Sequence, residues 1–141
     1  MFHGTCVAFK IGRKNVAVLI RGKPGSGKSD LALRLLSMVG HKARLISDDQ
    51  VILRKKSGKI WAVSPETIRG LLEVRGVGIC KIREVLLSAP LALVIDLVPL
   101  KKVPRFPDAE FEYFEGVKLP RRNLYAFEAS APLKLYKMLV E

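Results

Sequence analysis

The strongest constraint on this chain is the run Gly22, Lys23, Pro24, Gly25, Ser26, Gly27, Lys28, Ser29, which reads G-x-x-x-x-G-K-S. It is preceded by Val16–Ile20, an apolar run, and followed by Asp30–Leu36, apolar at helical spacing, so the chain is committed to strand, loop and helix in that order. The glycines at 22, 25 and 27 allow backbone conformations barred to other residues, so that consecutive N–H groups turn inward around an anion. The start of the helix adds its partial positive charge. In such a phosphate loop Lys28 reaches the terminal phosphates and the Ser29 hydroxyl holds magnesium. A Gly-rich turn that merely caps a helix is the competing reading, and the strand and helix on either side argue against it.

With 141 residues, 49% of them hydrophobic and 27% charged, the sequence predicts one domain over 1–141 with its own core. The longest apolar stretch, Ala89–Ile95, runs into Asp96 and is too short for a bilayer. No secretory pattern opens the chain, and Cys6 and Cys80 lack metal-ligand spacing, which predicts reduced thiols and a cytoplasmic location. The net charge of +12 favours anionic partners. The basic residues fall in short groups such as Arg54–Lys56 and Lys101–Lys102, without interleaved aromatics on one helix, a pattern that disfavours nucleic acid.

Two hairpins are predicted, Thr5–Ile11 with Asn15–Ile20 and Gln50–Arg54 with Lys59–Val63, as are strands at Ala43–Ser47 and Leu91–Val98. Gly40 is the expected residue just past the first helix. Pro65–Gly70 reads as a helical turn or loop, Pro99–Asp108 as a loop, Glu110–Gly116 as ambiguous, and Pro132–Val140 as a helix with Ser130 as its cap. The expected fold is α/β or α+β, a mixed β-sheet flanked by helices with the phosphate loop at the end of a central strand.

Asp48 and Asp49 close a predicted strand about twenty residues after the loop, where one carboxylate can order a metal while the other accepts a proton from an attacking hydroxyl. A turn in which they cap backbone N–H groups is the alternative. Leu72–Gly78 carries Glu73, Arg75, Gly76 and Gly78 between apolar neighbours. Such a segment can set Glu73 on magnesium and Arg75 on phosphate, or be a bulged strand with a surface ion pair.

Together GKPGSGKSD, ISDDQV and LLEVRGVGI resemble the catalytic domain of the HPr kinase/phosphorylase family. Weaker matches are His3-Gly4 and Val117–Leu124, the latter similar to that family's P-x-x-P-G-R-N-L loop. The resemblance implies an ATP-dependent kinase acting on a serine of the phosphocarrier HPr, with phosphorolysis as the reverse reaction, and a homo-oligomer, hexameric in related enzymes. It implies ATP and Mg2+ as cofactors, Lys28 on the β- and γ-phosphates, Ser29 and Glu73 on magnesium, and one of Asp48 and Asp49 as base. His3 falls on the family's active-site histidine, Arg105 on its catalytic arginine, and Arg122 on the arginine of the P-G-R-N loop. Asp30 replaces a glutamate and Arg121 a glycine. The chain opens at the family's His-Gly, which implies a short form without the amino-terminal domain. The other classes weighed are a different phosphate-loop enzyme, such as a small-molecule kinase, and a nucleotide-responsive nucleic-acid-binding module.

Overall fold

A computed structural model describes residues 1–38 and 42–141; Gly40, expected beyond the first helix, lies outside them. The elements in chain order are β1 (Phe2–His3), β2 (Thr5–Ile11), β3 (Lys14–Arg21), α1 (Lys28–Leu36), β4 (Arg44–Ser47), β5 (Gln50–Lys56), β6 (Lys59–Val63), β7 (Leu71–Val74), β8 (Gly78–Lys81), β9 (Ser88–Leu97), β10 (Glu110–Phe114), β11 (Val117–Leu124) and α2 (Ala131–Val140). Single 3-10 turns form at Glu66–Ile68 and Leu100–Lys102.

Nine strands make one mixed sheet, in the order β1-β5-β6-β9-β3-β2-β4, which forks at β9. The first residues of β9 pair antiparallel with β6, and Val94–Leu97 pair parallel with β11, whose other edge carries β10. On its other side β9 runs parallel to β3. Pro120 lacks a donor, and it sits in the part of β11 that is bonded only to β10, where one side of the ladder is free.

The strand period sorts two cores. Val7 and Phe9 of β2, Val18 and Ile20 of β3, and Leu93 and Ile95 of β9 pack against Leu31 and Leu35 of α1 and Leu135 of α2. On the opposite face Cys6, Ala8, Ala17 and Leu19 meet Ile46, Val51, Ile60 and Ala62, which the curl of the sheet brings over. The central strands are thus buried on both faces, which is why they read as near-continuous apolar runs. Both helices lie on one face, and the sheet itself covers the other.

Several elements differ from expectation. Leu72–Gly78 is not one bulged strand but spans β7, a turn and the start of β8, which pair as a hairpin. Its turn runs from Val74 to Val77, with the Val77 N–H bonded to the Val74 carbonyl at 3.0 Å, and Gly76 takes the positive φ of 87° that the turn needs. Val117–Leu124 is a strand rather than a loop, because its second half adds to β9. His3 lies in a strand of its own, paired with Gln50. Ser130 occupies the cap position of α2, but its backbone is already helical and its side chain makes no capping bond; Pro132 in the first turn costs nothing there, since that N–H has no helical partner.

Candidate active site at the phosphate loop

Because β3 and β9 run parallel, and β4 points the same way as β3 through their shared antiparallel neighbour β2, their C-terminal ends share one edge of the sheet. The phosphate loop leaves β3 at that edge and enters α1 at Lys28. The first-turn N–H groups of α1 are free to face an anion. Gly27 is required twice over, since its φ is 98° and a Cβ there would lie 3.0 Å from the Ala126 Cβ and 3.1 Å from the Phe127 ring. Lys28 Nζ crosses the loop and donates to the Gly22 and Lys23 carbonyls at 2.8 and 3.2 Å.

Asp48 is 8% exposed and fully engaged. Its Oδ1 accepts from Thr5 Oγ1 at 2.8 Å, the Ser29 hydroxyl lies 2.7 Å from Oδ1 and 2.9 Å from Oδ2, and the Glu73 N–H donates to Oδ2 at 3.1 Å. One carboxylate therefore fixes the phosphate-loop serine, the β7 strand and β2 together. Asp49 is exposed, with φ of 70°, and its carbonyl accepts from Gly4 N–H at 2.9 Å. The two aspartates thus divide: Asp48 is bonded into the framework, whereas the Asp49 side chain is open to solvent.

Gly25, Lys28, Ser29, Asp48, Asp49, Glu73 and Arg75 come together around one cleft of about 570 Å³, along with Pro24, Gly27, Asp30, Val74 and Phe127. Gly22, Lys23 and Ser26 complete the loop without lining that cleft, and Gly76 and Gly78 shape the β7–β8 turn. His3 does not line it either, although β1 holds it next to the Asp48–Gln50 turn. Arg105 and Arg122 are displaced from the phosphate loop: they line a second cleft of about 340 Å³ with Leu100, Asn123, Lys134 and Met138. The 99–108 loop follows β9, and its course turns Arg105 toward α2.

Three features were missed in the sequence. Phe127 reaches the phosphate loop from the end of β11, and no local spacing signals that. Arg34 of α1 donates to the Ala126 and Glu128 carbonyls, the latter at 3.0 Å, and pairs with Asp30 at 3.0 Å. Finally, Asp96 bonds Arg21 at 2.8 Å and Arg121 at 2.9 Å, while Arg21 also meets Glu112 at 2.8 Å and Arg121 meets Glu110. Opposite charges closing two apolar runs, Arg21 at the end of β3 and Asp96 near the end of β9, were the available signal for adjacent parallel strands. Burial pushes the Asp96 carboxyl up, but hydrogen bonds from Arg21 and Arg121 outweigh it and hold the pKa below the ordinary 3.8. The bond to Asp96 raises Arg21 further above its usual value. Burial alone pushes the Cys6 thiol far up.

Among the described residues no three acidic, histidine or cysteine side chains cluster as a metal cage, and no helix is long and apolar enough to cross a membrane.

The sequence model of the HPr Serine kinase C-terminal domain matches residues 1–113. The chain is 38% identical over 91 residues to the HPr kinase/phosphorylase of Mycoplasma mycoides, a stretch covering 60% of this chain and 28% of that protein. It is 35% identical over 117 residues to the HPr kinase/phosphorylase of Clostridium kluyveri, covering 77% of this chain and 37% of that protein. The chain thus spans well under half the length of these curated relatives. The solved structure of the Hpr(Ser) kinase/phosphatase from Coxiella burnetii superimposes with a TM-score of 0.79 at 26% identity, covering 99% of this chain and 92% of that one. With the family model spanning β1 to β10 and the fold agreeing over nearly every residue, this chain belongs to the HPr serine kinase C-terminal domain family.

Proposed function

We propose that this chain is an ATP-dependent kinase that transfers the γ-phosphoryl group to a serine of an HPr-type phosphocarrier protein, with Mg2+ as the required cation. The observation that carries the reading is the double contact of Asp48 with the Ser29 hydroxyl of the phosphate loop, with Asp49, Glu73 and Arg75 lining the same cleft. Ser29, Asp48 and Glu73 offer the hard oxygen donors that magnesium takes, alongside waters and phosphate oxygens. When bound, the cation neutralises charge developing on the transferred group.

Lys28 holds the β- and γ-phosphates, and Arg75 adds a second cation on the side of the carboxylates. The acceptor serine Oγ attacks the γ-phosphorus, the bond to the β–γ bridging oxygen breaks, and the hydroxyl proton passes to a carboxylate. Asp49 is assigned that role because its carboxylate is open to solvent, whereas Asp48 is occupied by three donors. In the phosphorolytic direction an oxygen of inorganic phosphate attacks the phosphorus of phosphoserine, the serine O–P bond breaks to leave pyrophosphate, and Asp49 returns the proton to the serine oxygen. His3, one residue from the Gly4–Asp49 bond, faces the acceptor side in this reading. Arg105 and Arg122 take no part in nucleotide binding. A homo-oligomer belongs to the same reading and is checked by light scattering.

The test is incubation with labelled ATP, Mg2+ and an HPr-type carrier, followed by acid. Acid-stable label on the carrier is expected, because a serine ester survives where a phosphohistidine does not. Acid-labile label, or label on the enzyme alone, contradicts the reading.

A further inference from the structure

The carboxylates and Phe127 stand on opposite flanks of the phosphate loop. Asp48 and Asp49 follow β4, two strands to one side of β3, and Phe127 follows β11, two strands to the other side. A nucleoside triphosphate lying along the loop puts its terminal phosphate toward the cation and carboxylates, so its base leaves the loop on the flank where Phe127 stands. Phe127 is 58% exposed and lines the cleft, and an edge of its ring stands beside Gly27, 3.1 Å from where a Cβ on that residue would lie.

Its placement is built rather than incidental. Arg34, reaching up from α1, donates to the carbonyls of Ala126 and Glu128, the residues on either side of Phe127. Tyr125 braces the ring edge to face, with centroids 5.7 Å apart at 73°. The ring is thus held in place at the cleft, and a flat aromatic face suits the flat face of a base.

We propose that Phe127 is the nucleobase platform of this cleft, stacking on the base of the bound nucleotide, and that Arg34 positions it. This rests on the nucleotide reading above.

The test compares ATP with inorganic tripolyphosphate, which has the phosphates and no base. Calorimetric titration of the full chain with each, in magnesium, is repeated for Phe127→Ala and Phe127→Trp. Phe127→Ala should raise the Kd for ATP about tenfold and leave that for tripolyphosphate within about twofold, while Phe127→Trp should keep ATP affinity and show tryptophan quenching with ATP but not with tripolyphosphate. Unchanged ATP affinity in Phe127→Ala overturns the proposal. Equal weakening of both ligands also overturns it, because the ring would then act only through Gly27. If the unaltered protein binds tripolyphosphate but gains nothing from the nucleoside, the platform alone falls; if it binds neither, the nucleotide reading falls with it.

Discussion

The cleft over the phosphate loop and the cleft between the 99–108 loop and α2 differ in how their charges are held. In the first, a nearly buried carboxylate ties Ser29, Thr5 and Glu73 into one arrangement, and the loop glycine fits only as glycine. In the second, Arg105 is exposed, and the neighbouring Arg121 spends its guanidinium on Asp96 and Glu110. Groups fixed before a ligand arrives lose little on binding and can stabilise a developing charge, whereas solvated arginines must first be ordered.

Lys28→Ala breaks the comparison most severely. On the proposed function it removes a cation from the terminal phosphates and should lower phosphoryl transfer about 10³-fold or more with the circular dichroism spectrum unchanged. Near-normal turnover would dissolve the distinction between the clefts. Next come the two aspartates: Asp49→Asn should cut kcat about 10²- to 10³-fold with nucleotide affinity nearly kept, while Asp48→Asn should weaken both magnesium dependence and turnover. Steady-state kinetics over a magnesium series separates them, and reversed phenotypes would exchange their roles.

A smaller effect concerns the ion network behind the second cleft. Asp96→Asn leaves Arg21 and Arg121 without their shared anion and should destabilise by about 2 kcal/mol, read by urea unfolding. Since the folded carboxyl titrates below 3.8, its contribution is present at neutral pH and is lost as pH falls below about 4. The unfolding midpoints of the protein and of Asp96→Asn should therefore converge in acid. The smallest effects are those of Arg105→Ala and Arg122→Ala, which should shift ATP affinity by no more than about twofold; a tenfold loss would place them at the nucleotide.

What the sequence made legible was what short spacing encodes. The phosphate loop, α1, both early hairpins and β9 follow from local period, and Glu73 and Arg75 follow from a segment whose chemistry is packed into a few residues. Glu110–Gly116 stayed ambiguous because β10 carries aromatics on both faces, Phe111 and Tyr113 on one, Phe114 on the other, so its alternation is blurred. Val117–Leu124 read as a loop because its proline and charges hide a strand whose pairing to β9 is set by residues far away in sequence. The contacts of Arg34 with 126 and 128, and of Phe127 with Gly27, span about a hundred residues and leave no local pattern. The displacement of Arg105 has the same origin, since a loop's direction depends on what packs beside it.

The most direct measurement is amide chemical-shift mapping during titration with ATP, magnesium and a nonhydrolysable analogue as control. The account predicts the largest shifts at Gly25, Gly27, Lys28 and Ser29, with Asp49 and Glu73 following, and little change at Arg105 and Arg122. Shifts concentrated on Arg105, Arg122 and α2, with the phosphate loop silent, would contradict it.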